Sequence, residues 1–266
     1  MIDTHTHLNF PDFKKSLKTI IKRATKAGVK KIICVSSNLA DSEKAVELAQ
    51  KYPGIVYAAV GIHPQQTDPE NKTSIEKQTN NLEKLANNKR VVAIGECGLD
   101  FSPAPPPEKN RTKEEQVCLF EKQIEIAQKQ KLPLLVHSRE AFDNTVDILK
   151  NYHVGGVFHC YSAGKKGIAK VVELGFYFGV DGNLTYDTGL QNVFAQIPLE
   201  KTLLETDAPF LSPVPHRSKK NEPAFLVFIA KKLAEIHRVS FKKIDAITTK
   251  NAFDLLDLDN HEGDSL

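Results

Sequence analysis

Histidines and carboxylates in this chain recur at the ends of short apolar runs. His5-Thr6-His7 closes the first run, and His63 follows the third within Gly61-Ile62-His63-Pro64. Glu96 follows the fourth run, His137 the fifth, His159 the sixth, and Glu205-Thr206-Asp207 the eighth. His5 and His7 are two residues apart, and on a strand such residues point to the same side, so both imidazoles can grip one ion. Imidazole combined with carboxylate is the donor set of zinc, manganese or iron at a hydrolytic site. The set His5, His7, Glu96, His137, His159 and Asp207 exceeds the three protein ligands of a mononuclear catalytic zinc, which points to two divalent ions. A carboxylate has two oxygens and can bridge, and Glu96 is centrally placed. No lysine stands at the end of the fourth run to act as a carboxylated bridge instead. The expected arrangement sets His5, His7 and Asp207 on one ion, His137 and His159 on the other, and Glu96 between them. Such a pair, about 3.5–4 Å apart, generates hydroxide near neutral pH and clamps the attacking and leaving oxygens. A solitary histidine at a strand end is more often a satisfied polar group. His153, His216, His237 and His261, in helix, loop or tail contexts, are read that way. Cys97 and Cys160 directly follow Glu96 and His159, and strand alternation sends them outward as packing residues rather than thiolate ligands.

The cage alone would serve an ester, an amide or a phosphate. Arg139 lies two residues after His137, on the same side of its strand, and is a candidate phosphate contact. The stretch Pro215-His216-Arg217-Ser218-Lys219-Lys220-Asn221-Glu222-Pro223 brings three cations near Asp207, just before a helix N-terminus. Guanidinium groups and helix N-termini both favour phosphate. Arg217 is therefore a second candidate contact, and His63 can donate to a phosphate oxygen or orient the leaving group.

The elements that must position these residues are short β-branched or apolar runs alternating with helical patterns. The runs are Ile2–Thr4, Lys31–Val35, Ile55–Val60, Val91–Ile94, Pro133–Val136, Gly156–Phe158, Phe176–Val180 and Thr202–Leu204. Eight such runs with helices between them predict an α/β fold, a (β/α)8 TIM barrel of the metal-dependent hydrolase type, whose active site forms at the C-terminal ends of its strands. Within Thr112–Lys131, Val117, Phe120, Ile124 and Ala127 make one apolar helix face; Leu226, Ile229, Leu233 and Ile236 do so within Pro223–His237. Pro223 fits a first helical turn, where its missing N–H is harmless. The chain has 266 residues, 41% hydrophobic and 26% charged, enough for one barrel without disulfide staples. Residues 1–258 are expected to form that single domain, and 259–266 an acidic tail. A net charge of +3 neither demands nor excludes a nucleic-acid partner. The four cysteines lack paired spacing, so free thiols in a reducing cytoplasm are expected. The N-terminus does not read as a signal peptide, and no apolar stretch approaches the roughly 18 residues of a membrane span. Ser102–Pro107, with four prolines, reads as a stiff loop over one barrel mouth. No Trp is present and Tyr and Phe are scattered along the chain, so no stacking platform for bases is evident.

Several segments together resemble the TatD family of metal-dependent hydrolases, a branch of the amidohydrolase-like barrels. They are Asp3-Thr4-His5-Thr6-His7-Leu8, Gly61-Ile62-His63-Pro64, Gly95-Glu96-Cys97-Gly98-Leu99-Asp100 and Val136-His137-Ser138-Arg139, followed by Phe158-His159-Cys160-Tyr161-Ser162, Glu205-Thr206-Asp207-Ala208-Pro209 and Asn221-Glu222-Pro223. The resemblance implies a divalent-metal-dependent deoxyribonuclease, with activity that includes 3′-to-5′ trimming of single-stranded DNA (or RNA), and so a nucleic-acid substrate. The thiols and the N-terminus separately lead to the expectation of a cytoplasmic protein, and no obligate protein partner is expected. By position, the six residues of the cage match the family's metal residues, Glu205 a further acidic position near them, and His63 a substrate-side histidine. The metals stay open among zinc, manganese, magnesium and iron. Ala163 and Ser218 stand where the family usually has glycine, and the proline-rich stretch sets the fourth loop apart. Two other readings remain: an ester or amide hydrolase such as a D-aminoacyl-tRNA deacylase, and a nucleic-acid-binding barrel without chemistry.

Overall fold

A computed structural model of the chain describes residues 1–67, 74–103 and 111–260. The strands are β1 (Ile2–Thr6), β2 (Lys31–Val35), β3 (Val56–Val60), β4 (Val91–Asp100), β5 (Leu134–Arg139), β6 (Gly156–Phe158), β7 (Tyr177–Val180) and β8 (Thr202–Leu204). They pair in parallel in sequence order, one sheet of eight. A parallel bridge between Thr6 and Ala208 brings the last strand back to the first. The seam is reinforced by Asp3, a fully buried carboxylate that accepts from the Thr206 N–H at 2.9 Å and bonds the Thr206 hydroxyl at 2.6 Å. The fold is the TIM barrel expected from the alternating pattern.

Side-chain alternation divides the core in two. Ile33, Val35, Tyr57, Ala59, Val92, Leu135, Val157 and Leu203 fill the barrel interior together with Ala252, Leu256 and Leu258. Ile32, Cys34, Ala58, Val60, Ile94, Leu134, Val136 and Phe178 pack outward against the helices. Ala252 and Leu256 belong to α9 (Phe241–Leu256), which closes the end of the barrel opposite the strand C-termini. Its Asn251 amide donates to the carbonyls of Leu199 and Thr202, at 2.7 and 2.8 Å. One end is thus plugged and the other is free for chemistry.

The helices are α1 (Leu17–Lys26), α2 (Leu39–Lys51), α3 (Ile75–Ala86), α4 (Lys113–Gln130), α5 (Phe142–Leu149), α6 (Lys165–Glu173), α7 (Thr188–Phe194), α8 (Leu226–Ile236) and α9. α4 starts at a reciprocal cap in which Thr112 and Glu115 satisfy each other's backbone N–H groups. Phe120, Ile124 and Ala127 are buried as the periodicity predicts. Two glutamines share that inner face. Gln116 brackets the Asp100 backbone, accepting from its N–H and donating to its carbonyl, both at 2.8 Å. Gln123 does the same for Ile62, at 2.8 and 3.0 Å. α8 begins later than predicted, because Pro223–Phe225 forms a tight 3-10 turn ahead of it.

β4 and β5 differ most from the sequence expectation. β4 runs on to Asp100, and β5 runs on to Arg139, because the two continue to pair, Gly98 opposite His137 and Asp100 opposite Arg139. Gly98 (φ +136°) permits this: a Cβ there would meet the His137 carbonyl oxygen at 2.0 Å. Of the proline-rich stretch, Ala104–Pro107 lies outside the described residues, as does the tail beyond Asn260, including His261.

Candidate metal centre

Two irregularities of the sheet fall on the segments that carry candidate ligands. The β1–β2 register shifts between Asp3 and Thr6, and the β4–β5 register shifts between Gly95 and Cys97. Bulges of this kind re-aim side chains at barrel rims. The first contains His5 and the second contains Glu96. Both side chains turn into the open end of the barrel, and both residues are at least 95% buried.

Glu96 divides its oxygens between two groups of imidazoles. Oε2 lies 3.6 Å from His5 Nε2 and 3.9 Å from His7 Nε2. Oε1 lies 2.7 Å from His137 Nδ1 and 3.0 Å from His159 Nε2. Asp207 joins the first group, its Oδ1 at 3.7 Å from His5 and 3.4 Å from His7. His5–His7–Glu96 and Glu96–His137–His159 each converge closely enough to hold a metal ion. Both nitrogens of the fully buried His5 lack a hydrogen-bond partner, an uncompensated desolvation that a cation would relieve. The donor chemistry and these orphaned atoms fit a bound divalent metal.

Electrostatics keep the carboxylates and His5 in ligating form, whereas His159, His7 and His137 are pushed toward the protonated form and would have to shed that proton to bind a metal. Burial pushes the Glu96 carboxyl up, but the His159 and His63 imidazoles and the bond from His137 outweigh it and hold the group well below its ordinary range. Asp207 follows the same pattern: burial raises it, and the bond from His7 and the charge of His159 lower it further. Burial and the neighbouring His159 lower His5. His159 is raised well above its ordinary value, since Glu96 and Glu205 overcome the cost of burial.

Behind the cage stand further carboxylates. Glu205, fully buried, accepts from the Cys160 N–H at 2.5 Å and lies 3.4 Å from His159 Nδ1. Gly179 leaves it room, because a Cβ there would come within 2.4 Å of Glu205 Oε2. Asp100, to which the sequence reading gave no role, places Oδ2 3.1 Å from His137 Nε2 while Oδ1 accepts from Ser102. The signal was an acidic residue in Gly95-Glu96-Cys97-Gly98-Leu99-Asp100, hidden by ending the strand at Ile94. His63 sits beside this group, with Nε2 3.8 Å from Glu96 Oε1. Its Nδ1 accepts from the Gln65 N–H at 3.2 Å, so in the neutral ring Nε2 carries the proton and faces the cage. Burial, and then His137, lower the His63 pKa to about 3.

The outer residues are placed less uniformly. Arg139 is exposed at the end of β5, and no described residue pairs with its guanidinium. The Arg217 guanidinium carbon sits over the Tyr186 ring, 3.6 Å from its centroid. Lys220, one of the three loop cations, turns instead to Asp12 at 2.5 Å. Cys97 is buried in the outer core as expected. Cys160 corrects the alternation argument: β6 ends at Phe158, and Cys160 takes a left-handed backbone (φ +47°), half-buried with its thiol bonded to Asp181. A second correction concerns aromatics. Phe10 stacks on His7 with ring centroids 4.6 Å apart, and Phe210, 51% exposed, stands edge-on to both rings at 6.2 Å. Residues 200 positions apart in the chain thus form an aromatic wall beside the cage.

The model of the family described as TatD related DNase matches residues 2–257. The metal-dependent hydrolase YabD of Bacillus subtilis is 34% identical over 95% of this chain and 97% of its own. A 3′-5′ ssDNA/RNA exonuclease TatD of Edwardsiella piscicida is 32% identical over 97% of this chain and its own full length. Among solved structures, the TatD homologue YJJV of Escherichia coli superposes with a TM-score of 0.86 at 31% identity, over 97% of this chain and 98% of that one. No helix among the described residues is long and apolar enough to cross a membrane.

Proposed function

The chain belongs to the TatD related DNase family of metal-dependent hydrolases, and from that footing we propose that it is a two-metal phosphodiesterase that trims single-stranded DNA or RNA from the 3′ end. One observation carries the two-metal reading: the two oxygens of Glu96 face separate imidazole pairs, His5 with His7 and His137 with His159. His5, His7 and Asp207 would hold one ion, His137 and His159 the other, with Glu96 between them. Four imidazoles favour a transition metal such as zinc, manganese or iron over magnesium. When bound, such a pair supplies a strong nucleophile at neutral pH and neutralises charge on the phosphoryl oxygens.

The chain's own groups do the rest. Asp207, held ionised, orients the attacking water and takes its proton. His63 offers its Nε2–H to a phosphoryl oxygen or to the leaving 3′-oxygen; as a neutral donor it positions that oxygen, which takes its proton from solvent. Arg139 and Arg217, at the rim, bind flanking phosphates. Glu205 acts from behind, fixing the His159 ring. The exonuclease relative, 32% identical over its whole length, supports strand trimming as the activity.

The test is digestion of 3′-end-labelled and 5′-end-labelled single-stranded DNA across a series of divalent metals, with product analysis. Stepwise loss from the 3′ end is expected, and Glu96→Ala or His137→Ala should abolish it while circular dichroism stays native. Amino-acid release from aminoacyl-tRNA without nucleotide release, or normal metal-dependent turnover in both variants, would sink the assignment.

A further inference from the structure

We propose that Phe210, backed by Phe10, is a stacking subsite for a nucleobase of the bound strand; this rests on the phosphodiesterase reading above. A phenylalanine is ordinarily drawn into a core, yet Phe210 leaves 51% of its surface open. The exposure does not come from a loose backbone. The Phe210 N–H donates to the Asp207 carbonyl at 2.9 Å, and its own carbonyl accepts from the Asn221 amide at 2.6 Å. Asn221, itself fully buried, also donates to the Thr206 carbonyl at 2.8 Å. The ring is therefore presented from a pinned turn, three residues beyond Asp207.

Its position selects the ligand. The Phe210 centroid is 6.2 Å from the His7 ring, and His7 Nε2 is 3.4 Å from Asp207 Oδ1, so the aromatic face begins where the cage ends. That spacing is of the order that separates a phosphate from the base of its own nucleotide. Phe10 lies parallel to His7 (21°), and Phe210 stands at 78° to Phe10, so the two rings form a corner. A flat base laid on Phe210 would have its edge closed off by Phe10. The Tyr186 ring beside the mouth is not available in the same way, because the Arg217 guanidinium already covers it. Stacking on phenylalanine accepts every base, since every base has a π-face. The subsite therefore grips the strand with little dependence on sequence.

The test compares Phe210→Ala and Phe210→Trp with the parent enzyme on two strands, a normal oligodeoxynucleotide and one whose 3′-terminal residues are abasic tetrahydrofuran. The parent should prefer the normal strand, and Phe210→Ala should erase about tenfold of that preference in kcat/KM, the loss of about 1.4 kcal/mol of base stacking. Phe210→Trp should keep the preference. An equal loss on both strands, or none on either, overturns the subsite. A second readout needs no turnover: a 2-aminopurine strand with phosphorothioate linkages should be quenched by the metal-loaded parent and not by Phe210→Ala. If the parent cleaves no phosphodiester yet quenches the probe in a Phe210-dependent way, the subsite stands and the proposed activity falls. If it cleaves DNA but neither quenches the probe nor distinguishes the two strands, the activity stands and the subsite falls.

Discussion

Each imidazole of the β5–β6 pair has a carboxylate behind it, Asp100 behind His137 and Glu205 behind His159. A carboxylate on the far nitrogen fixes which nitrogen carries the proton and leaves the other free to ligate, and losing such a partner typically weakens metal affinity or activity about 10–100-fold. Asp100→Ala should show that loss in a competitive metal titration, while Asp100→Asn, which keeps an oxygen acceptor, should recover part of it. Equal metal affinity in Asp100→Ala and the parent would mean that His137 is oriented by its other contacts alone. The difference in what could be read from sequence lies at this scale too. His5, His7, Glu96, His137, His159 and Asp207 were visible because metal-binding residue types coincide with strand ends. Asp100 was not, because glycine, glutamate and cysteine between Ile94 and Leu99 do not look like strand. Phe10 and Phe210 were hidden for another reason: only the closure of the barrel makes them neighbours.

Elements were legible where apolar alternation was strong. β2, β6 and β8 have the predicted bounds, and the buried face of α4 follows its period. The extension of β4 was not legible, since it depends on Gly98 accepting a backbone that no side chain tolerates beside β5. Gly98→Ala should therefore cost about 3 kcal/mol or more, from clash and strain together. Gly54 also has a positive φ (+76°) but nothing within 4 Å of its Cβ position. Gly54→Ala should cost only the backbone term, about 1–2 kcal/mol. Urea denaturation of the two variants checks the order, and comparable losses would show that β4–β5 contact is not the source. The glutamines of α4 extend the same theme. On an amphipathic helix Gln116 and Gln123 look like interruptions of the apolar face, yet each holds the loop end of a neighbouring strand, near His63 in one case and at Asp100 in the other.

For the molecule as a whole, the barrel brings carboxylates and imidazoles from six strands to one buried point, an arrangement that is costly until a cation compensates it. Binding to the folded state alone stabilises it by mass action, about 2.7 kcal/mol at a hundred times the dissociation constant. For a chain of this size that corresponds to a rise of about 5–10 °C in Tm. Chelator-stripped protein should melt lower by that amount and recover on adding zinc or manganese, whereas Glu96→Ala should not respond. A parent whose Tm ignores both chelator and metal would be incompatible with the proposed centre. The barrel itself was legible from the alternation of strands and helices, because every strand pairs with its sequence neighbour. What sequence did not reveal was how the ring shuts.

That seam has a consequence in time. Asp3 and Thr206, which clasp it, are separated by 203 residues. At about 5–20 residues per second, synthesis takes roughly 10–40 s to get from one to the other. His5 and His7 leave the ribosome well before Asp207. Through that interval the early histidines have no finished cage to join. A nuclease built this way comes into the cell unarmed, and acquires its cutting edge only once the last strand has met the first.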